Sequence, residues 1–282
     1  MVGAVPMATM IRAFGQAARI ELSAYVLREG DVKAALEAAA MRGARVAVRL
    51  DVAPYSTGPG DLAAANRATV ADLRAHRIDA RLTDPAGPPL HMKAALADGV
   101  AYLDDRNWAG DGFETIVRTD DADDVAVVSR ALAGTTASDG HLWTQKAAAE
   151  RAEAGMIYAA RTDRIDVESE SFGFSAVYGA LKARAKGGAH VRLIVSDREA
   201  NDPTNTRERH ALANLAAVGV AIRIAPRDEK LAIAGDGVWV GSANATESKS
   251  TRDQVDWGMR SRDHKLRAAI ATRFEENWRS GR

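Results

Sequence analysis

The feature that most constrains this chain is an internal repeat of strand, helix, turn and strand. In the first copy these elements are predicted at residues 20–25, 32–40 and 42–51. In the second copy they are predicted at residues 165–170, 175–185 and 186–197. A repeat of this length predicts two similar structural units within one chain.

Each copy continues in the same way after its second strand, with a polar loop, a helix and a short strand. These elements are predicted at residues 54–61, 61–76 and 78–82, and again at 197–205, 206–217 and 220–224. Because strands that alternate with helices favour parallel pairing, we expect an α/β fold. It would consist of two tandem repeats, each a mostly parallel mixed sheet flanked by helices, related by a pseudo-twofold axis.

The segment between the copies is rich in alanine. Residues 119–161 are predicted to be helical and to connect the repeats, with a boundary near residue 150. The domains are therefore expected to be residues 1–150 and residues 151–282.

Composition excludes several classes of protein. The 282 residues are 46% hydrophobic and 27% charged, as in an ordinary globular protein, and contain no cysteine. Disulfides, cysteine-ligated zinc and a thiol nucleophile are therefore excluded. The formal net charge is zero, so a wholly basic surface for nucleic acid is absent, although a local basic groove is compatible with it.

We expect neither a secretory signal nor a membrane span. Arg12 interrupts the apolar pattern at the N-terminus, and no apolar run reaches the roughly 18 to 20 residues of a spanning helix. Peripheral contact with a membrane is compatible with this pattern, and the sequence does not predict a compartment.

Chemistry-bearing residues lie in the third part of each copy. Asp98 and Gly99 separate two apolar runs, which predicts a hairpin. His91 and Lys93 are two residues apart on one strand and project to the same face, and the return strand brings Asn107 back beside them. His91, Lys93 and Asn107 correspond to Asp228, Lys230 and Asn244, each 137 residues later (228 − 91, 230 − 93 and 244 − 107).

This motif pair resembles the phospholipase D superfamily, whose repeat reads His-x-Lys, four residues, Asp, six residues and Gly-Ser-x-Asn. The resemblance covers nearly the whole chain. His91, Lys93 and Asp98 match the first copy, whereas Asn107 follows Asp-Asp-Arg instead of Gly-Ser-x. The second copy keeps Lys230, Gly241, Ser242 and Asn244, but has Asp228 in place of histidine and Gly235 in place of aspartate.

The resemblance implies a phosphodiesterase that needs no metal or other cofactor, with its site between the repeats. His91 would attack phosphorus and form a phosphohistidine, while Asp228 would take over proton transfer. The other residues assigned to the phosphate are Lys93, Lys230, Asn107, Asn244 and Ser242. A phospholipid is the favoured substrate by family frequency, with a nuclease or a catalytically inactive phosphate-binding protein as alternatives. No obligate protein partner is expected.

Three residues have two interpretations each. Asp98 is equally explained by the hairpin turn and by an electrostatic role in catalysis. Glu114 is a candidate for orienting a site histidine or a solvated strand residue. The ordinary pKa of aspartate, about 3.9, lies below that of histidine, about 6.5, so Asp228 is the poorer acid at neutral pH, although its ionised form could activate water.

Overall fold

A computed structural model describes residues 2–55, 60–108, 115–202, 204–226, 229–247 and 253–282. The chain divides into two compact units: unit 1 is Met1–Gln145 with Ser250–Trp257, and unit 2 is Lys146–Lys249 with Gly258–Arg282. The late segment Ser250–Trp257 thus belongs to the first unit. Part of the first predicted loop (residues 56–59), Glu114 and Asp228 lie outside the described residues.

Unit 1 contains a seven-stranded sheet in the order β1-β7-β6-β5-β2-β3-β4. Its strands are β1 (Val2–Val5), β2 (Arg19–Ala24), β3 (Arg45–Leu50), β4 (Asp79–Leu82), β5 (Ala94–Ala97), β6 (Val100–Asp104) and β7 (Ile116–Thr119). Its helices are α1 (Met7–Phe14), α2 (Asp31–Met41), α3 (Leu62–Ala75) and α4 (Ala122–Leu132), and a short strand β8 (Leu142–Trp143) follows them.

Unit 2 repeats this plan with strands in the order β11-β10-β9-β12-β13-β14. The strands are β9 (Arg164–Ser169), β10 (His190–Ser196), β11 (Ala221–Ala225), β12 (Leu231–Ala234), β13 (Gly237–Gly241) and β14 (Gly258–Ser261). The helices are α5 (Lys146–Ala159), α6 (Ala176–Lys186), α7 (Asp197–Ala200), α8 (Thr206–Ala216) and α9 (His264–Ser280).

The predicted α/β class, with two mixed sheets flanked by helices, is confirmed. Among the described strands, parallel pairing is less extensive than predicted, because it joins only β2, β3 and β4 in unit 1 and β9, β10 and β11 in unit 2. The motif hairpins pair antiparallel with these strands and within themselves. Within each hairpin, the two-residue turn permits only an antiparallel return.

The first hairpin turn has the backbone that the sequence predicts. Asp98 and Gly99 have φ angles of 46° and 82°, so both central residues are left-handed, as a type I′ turn requires. The Asp98 carboxylate also accepts hydrogen bonds from the backbone N–H of Ala18 (3.0 Å) and Arg19 (2.9 Å). The turn is thereby tied to the start of β2.

The prediction of one helical connection over residues 119–161 is wrong in its middle. Helix α4 ends at Leu132, and α5 begins only at Lys146. Gly134 has a φ of 102°, which an L residue adopts only with strain, and Asp139 starts a turn by accepting hydrogen bonds from His141 N and Leu142 N. In unit 2 the predicted loop at 197–205 also contains the short helix α7.

The core of unit 1 lies between the sheet and its helices. Buried side chains of α1 and α2, including Met10, Phe14 and Leu36, pack with Ile20 and Leu22 of β2. This burial removes the apolar face of the sheet from water and fixes the strands that end at the predicted site. None of the helices in the described residues has the length and low polarity needed to cross a membrane.

Helix α5 carries buried charged side chains in unit 2. Lys146, Glu150 and Glu153 are each less than 10% exposed. The Lys146 ammonium lies 3.6 Å from Glu150, whose other oxygen accepts a hydrogen bond from Ala176 N at 2.8 Å. Burial raises the pKa of Glu153 to about 8, and the Glu150 charge acts in the same direction while Lys146 opposes it. Glu153 is therefore protonated in the folded protein at neutral pH.

We predict that this buried acid makes stability depend on pH. In the unfolded chain Glu153 ionises near its ordinary pKa of 4.5, while the folded chain holds the proton until about pH 8. The free energy of unfolding should therefore fall as the pH rises from about 4.5 to about 8. Glu153→Gln should flatten this fall and be more stable than wild type at pH 8, by up to a few kcal/mol.

Urea denaturation of the full chain at several pH values measures this effect, with the exposed Glu276→Gln as the matched control. Equal pH dependence in wild type and Glu153→Gln would contradict the assignment.

Candidate active site

The motif histidine of unit 1 is held by a short parallel pairing with the late segment of the same unit. His91 N donates to Val255 O (2.8 Å), and Val255 N donates to Pro89 O (2.9 Å). This pairing brings Asp256 beside the imidazole, so that His91 Nδ1 and Asp256 Oδ1 lie 2.8 Å apart. The side chain of His91 is 16% exposed and that of Asp256 is fully buried.

The hydrogen bond to Asp256 determines which ring nitrogen of His91 is reactive. An ionised carboxylate only accepts hydrogen bonds, so the Nδ1 proton of a neutral imidazole points to Asp256 and Nε2 keeps its lone pair. Trp257, the next residue, anchors the segment that carries Asp256, because its buried indole donates from Nε1 to Asp104 O at 2.8 Å. The hydrogen bond to Asp256 thus leaves Nε2 as the unprotonated ring nitrogen, which faces Lys93 Nζ.

Lys93 lies against the same imidazole. Its Nζ is 3.2 Å from His91 Nε2 and 3.3 Å from Nδ1, and the residue is 1% exposed. Tyr25 covers this pair: its ring centroid lies 4.8 Å from that of His91 and 5.7 Å from Lys93 Nζ. A buried ammonium beside Nε2 supplies positive charge where an anionic phosphate would be attacked.

Asp51, at the end of β3, supports the segment that carries His91. Its carboxylate accepts hydrogen bonds from Leu90 N (2.6 Å) and Ala53 N (2.7 Å). Burial raises the pKa of Asp51, whereas these two hydrogen bonds and His91 oppose the rise. Asn66 donates to both Asp51 O and Tyr25 O at 2.8 Å, so β2 and β3 end together below the histidine.

The other predicted residues of unit 1 lie at opposite ends of the hairpin. Lys93 O accepts a hydrogen bond from Asp104 N (3.0 Å), so exposed Asn107, three residues further on, stays at the end that carries His91. Asp98 is at the turn, about 16 Å along the strand from Lys93. Of its two interpretations, the structure supports the turn, and the hydrogen bonds from Ala18 and Arg19 lower the pKa of Asp98.

The matching lysine of unit 2 has a different neighbour. Lys230 is 3% exposed, and its Nζ lies 3.0 Å from Glu170 Oε2. Glu170 also forms an ion pair with Arg198. The sheet registers make Glu170 the counterpart of Tyr25, since Ser23 pairs with Ala94 and Glu168 pairs with Leu231 at the same point of each motif.

The two remaining predicted residues of unit 2 follow β13. Ser242 is fully buried, and Asn244 is partly buried. Asn244 Oδ1 accepts a hydrogen bond from Ser171 N at 3.2 Å, just after β9. Gly241 N donates to Lys230 O (3.0 Å), which repeats the pairing of Asp104 with Lys93. The two motifs therefore have the same hairpin register.

Asp256 is the functional candidate that sequence reasoning missed. Glu114, the residue predicted to orient a histidine, lies outside the described residues, whereas Asp256 makes that contact with His91. Its signal in the sequence is an acid between the large apolar residues Val255 and Trp257, a position usually buried in a strand. The sequence separation of 165 residues from His91 hides the contact.

Residues 154–278 match the family model described as "Cardiolipin synthase, PLD-like domain". No curated protein sequence is significantly similar to the chain. The polyphosphate kinase from Porphyromonas gingivalis has a similar fold, with a TM-score of 0.67 at 18% identity over 99% of this chain and 50% of that chain. The chain thus spans half the length of that kinase.

Two further solved structures show weaker similarity. Nuc from Salmonella typhimurium, a phospholipase D family member, is 23% identical over 46% of this chain and 86% of its own, with a TM-score of 0.39. Yeast tyrosyl-DNA phosphodiesterase is 9% identical over 88% of this chain and 84% of its own, with a TM-score of 0.46. The family match agrees with the predicted resemblance and shows that residues 154–278 form a phospholipase D-like domain.

A pair of substitutions separates the two interpretations of Asp98. Asn tolerates the left-handed backbone and keeps one acceptor oxygen, whereas Ala has neither property. We predict that Asp98→Ala lowers the melting temperature more than Asp98→Asn, and that Asp98→Asn keeps phosphodiester turnover within about twofold of wild type. Loss of turnover in Asp98→Asn at an unchanged melting temperature would instead assign the carboxylate to the chemistry.

Proposed function

We propose that this protein is a phosphoryl-transfer enzyme that cleaves phosphodiesters through a covalent intermediate on His91. The observation that carries the proposal is the 2.8 Å hydrogen bond between His91 Nδ1 and buried Asp256, which directs the Nδ1 proton to the carboxylate and so makes Nε2 the nitrogen suited to attack. The match of residues 154–278 to a phospholipase D-like domain supports the same reaction class. We further propose that the repeats predicted at residues 1–150 and 151–282 each contribute one motif.

In the first step, the Nε2 lone pair of His91 attacks phosphorus, an N–P bond forms, and the bond from phosphorus to the leaving oxygen breaks. The imidazole acquires a positive charge, which the Asp256 carboxylate stabilises through the Nδ1 proton. Lys93 stabilises the negative charge on the phosphoryl oxygens. We assign Asn107 to the same oxygens, because it stays at the His91 end of the hairpin.

In the second step, water or an alcohol attacks phosphorus, the N–P bond breaks, and neutral His91 is restored. We propose that the second motif serves both proton transfers, with Asp228 giving a proton to the leaving oxygen and then accepting one from the incoming hydroxyl. Lys230, Asn244 and Ser242 are the phosphate-binding residues of that motif in this proposal. Proton transfer of this kind contributes about 10²- to 10⁴-fold to rates.

We propose a phospholipid as the substrate, with peripheral contact at the membrane surface. The description of the matching family model, a cardiolipin synthase domain, supports a lipid phosphodiester. Zero net charge supports it as well, because a strongly basic surface for tracking a nucleic-acid backbone is missing.

The proposal predicts a covalent adduct at His91. The adduct should be trapped by rapid quenching of the wild-type protein incubated with labelled cardiolipin or phosphatidylglycerol, and Asp228→Asn should slow both its formation and its breakdown. An alkaline denaturing quench protects the acid-labile N–P bond, and peptide mass spectrometry locates the label. His91→Ala should abolish the label and lower turnover by about 10⁴- to 10⁶-fold, whereas replacement of the exposed His210 by Ala should change neither.

Single- and double-stranded DNA serve as the alternative substrates in the same assay. Cleavage of DNA with label at His91 would retain the mechanism and overturn the lipid assignment. Neither label nor turnover with any of these diesters would overturn the enzymatic proposal and favour a phosphate-binding protein.

A further inference from the structure

Four side chains of unit 1 that play no part in the proposed reaction converge at the start of α4. One carboxylate oxygen from each of Asp121 and Asp124 and one ring nitrogen of His141 lie within 4.8 Å of one another. Asp124 Oδ1 is 3.4 Å from His141 Nδ1, and Asp139 Oδ2 is 3.9 Å from His141 Nε2. Three carboxylates therefore surround one imidazole.

Asp124 occupies a position that normally belongs to an apolar residue. Helices α4 and α9 both begin after an aspartate N-cap, Asp121 and Asp263, whose carboxylates accept backbone hydrogen bonds. Three residues later α9 has buried Leu266, whereas α4 has Asp124, which is 0% exposed. A buried carboxylate in place of leucine costs free energy unless a hydrogen-bond donor or a cation compensates it.

The hydrogen bonds within unit 1 satisfy only some of the buried carboxylate oxygens of this cluster. Thr119 Oγ1 donates to Asp124 Oδ2 at 2.7 Å, and Asp139 Oδ1 accepts from His141 N and Leu142 N at 2.9 and 2.8 Å. The opposite oxygens, Asp124 Oδ1 and Asp139 Oδ2, are buried and have no hydrogen-bond donor among the described residues. Both of these oxygens lie on the side of His141.

A second cluster of two acids and a histidine in unit 1 already contains a cation, the side chain of Lys33. Glu37, Asp72 and His76 also bring their ligand atoms within 4.8 Å of one another. There the ammonium of buried Lys33 lies 3.1 Å from Glu37 and forms an ion pair with Asp72. At the α4 cluster, no described lysine or arginine lies within ion-pair distance of the three aspartates. A cation there would balance the negative charge of these carboxylates.

We infer that Asp121, Asp124 and His141 bind one divalent cation, Zn²⁺ or Mn²⁺, while Asp139 faces the other ring nitrogen of His141. Carboxylate oxygens with one imidazole nitrogen suit these two ions, whereas Ca²⁺ takes six to eight oxygens and Mg²⁺ keeps mostly water and carboxylate ligands. Bound there, the ion neutralises Asp124 and takes the place of a hydrogen-bond donor to its buried Oδ1.

The position of the cluster makes this ion structural. Thr119, which anchors Asp124, pairs with Ala101 near the hairpin turn, whereas Asp104 pairs with Lys93 at the opposite end of β6, about 10 Å away. The ion would join the end of β7, the first turn of α4 and the loop before β8. The inference is independent of the chemistry proposed at His91.

The test is isothermal titration calorimetry of the full chain. The protein is first freed of metal with a chelator and is then titrated with ZnCl₂ or MnCl₂ alone. A His91→Ala background removes the active-site imidazole as a competing ligand. We expect one ion per chain and a rise in melting temperature on binding. Asp121→Asn, which keeps an oxygen for the N-cap hydrogen bonds, and His141→Gln should each weaken binding by at least about tenfold. His76→Gln, in the cluster that Lys33 occupies, is the matched control and should bind as the background does.

The competing occupant is a proton. Burial and the neighbouring Asp139 carboxylate raise the pKa of Asp124 toward a value of about 6, although Thr119 and His141 oppose this. A cluster held only by a proton would bind neither ion, and that result would overturn the inference. Binding that survives both Asp121→Asn and His141→Gln unchanged would overturn it equally. His141→Gln, at a partly exposed position, keeps the test valid if Asp121→Asn alters folding.

Discussion

The hydrogen bond between His91 and Asp256 is the interaction on which the account of unit 1 depends. It fixes the tautomer of a neutral imidazole, with the proton on Nδ1 and the lone pair on Nε2. Solvent alone does not select one tautomer in this way. Several features of the fold maintain it. The pairing of His91 with Val255 aligns the segments that carry His91 and Asp256. Trp257 anchors the segment of Asp256 through its bond to Asp104 O, and the Asp51 carboxylate accepts a hydrogen bond from Leu90 N, next to His91.

The two motifs share a hairpin register but differ in electrostatics. In unit 1 the motif lysine lies beside a histidine and an aromatic ring, whereas in unit 2 Glu170 pairs with Lys230 at the position that Tyr25 occupies. Glu170 would compete with a phosphate for Lys230, because both are anions.

Sequence predicted the features that depend on local patterns. The repeat, the strands that end at the site and the Asp98-Gly99 turn follow from periodicity and turn chemistry within short windows. Asp256 was missed because its partner is 165 residues away, and no local pattern reports such a contact. The connection between the units was predicted as helix because alanine dominates it, and the turns at Gly134 and Asp139 override that propensity.

Nitrogen-15 NMR of the histidine ring in the full chain tests the central claim most directly, because it reports which nitrogen carries the proton. At a pH where the ring is neutral, His91 should show a protonated Nδ1 and an unprotonated Nε2, and Asp256→Asn should disturb this preference while His210 keeps its spectrum. A His91 ring with its proton on Nε2, or one that Asp256→Asn leaves unchanged, would contradict the account.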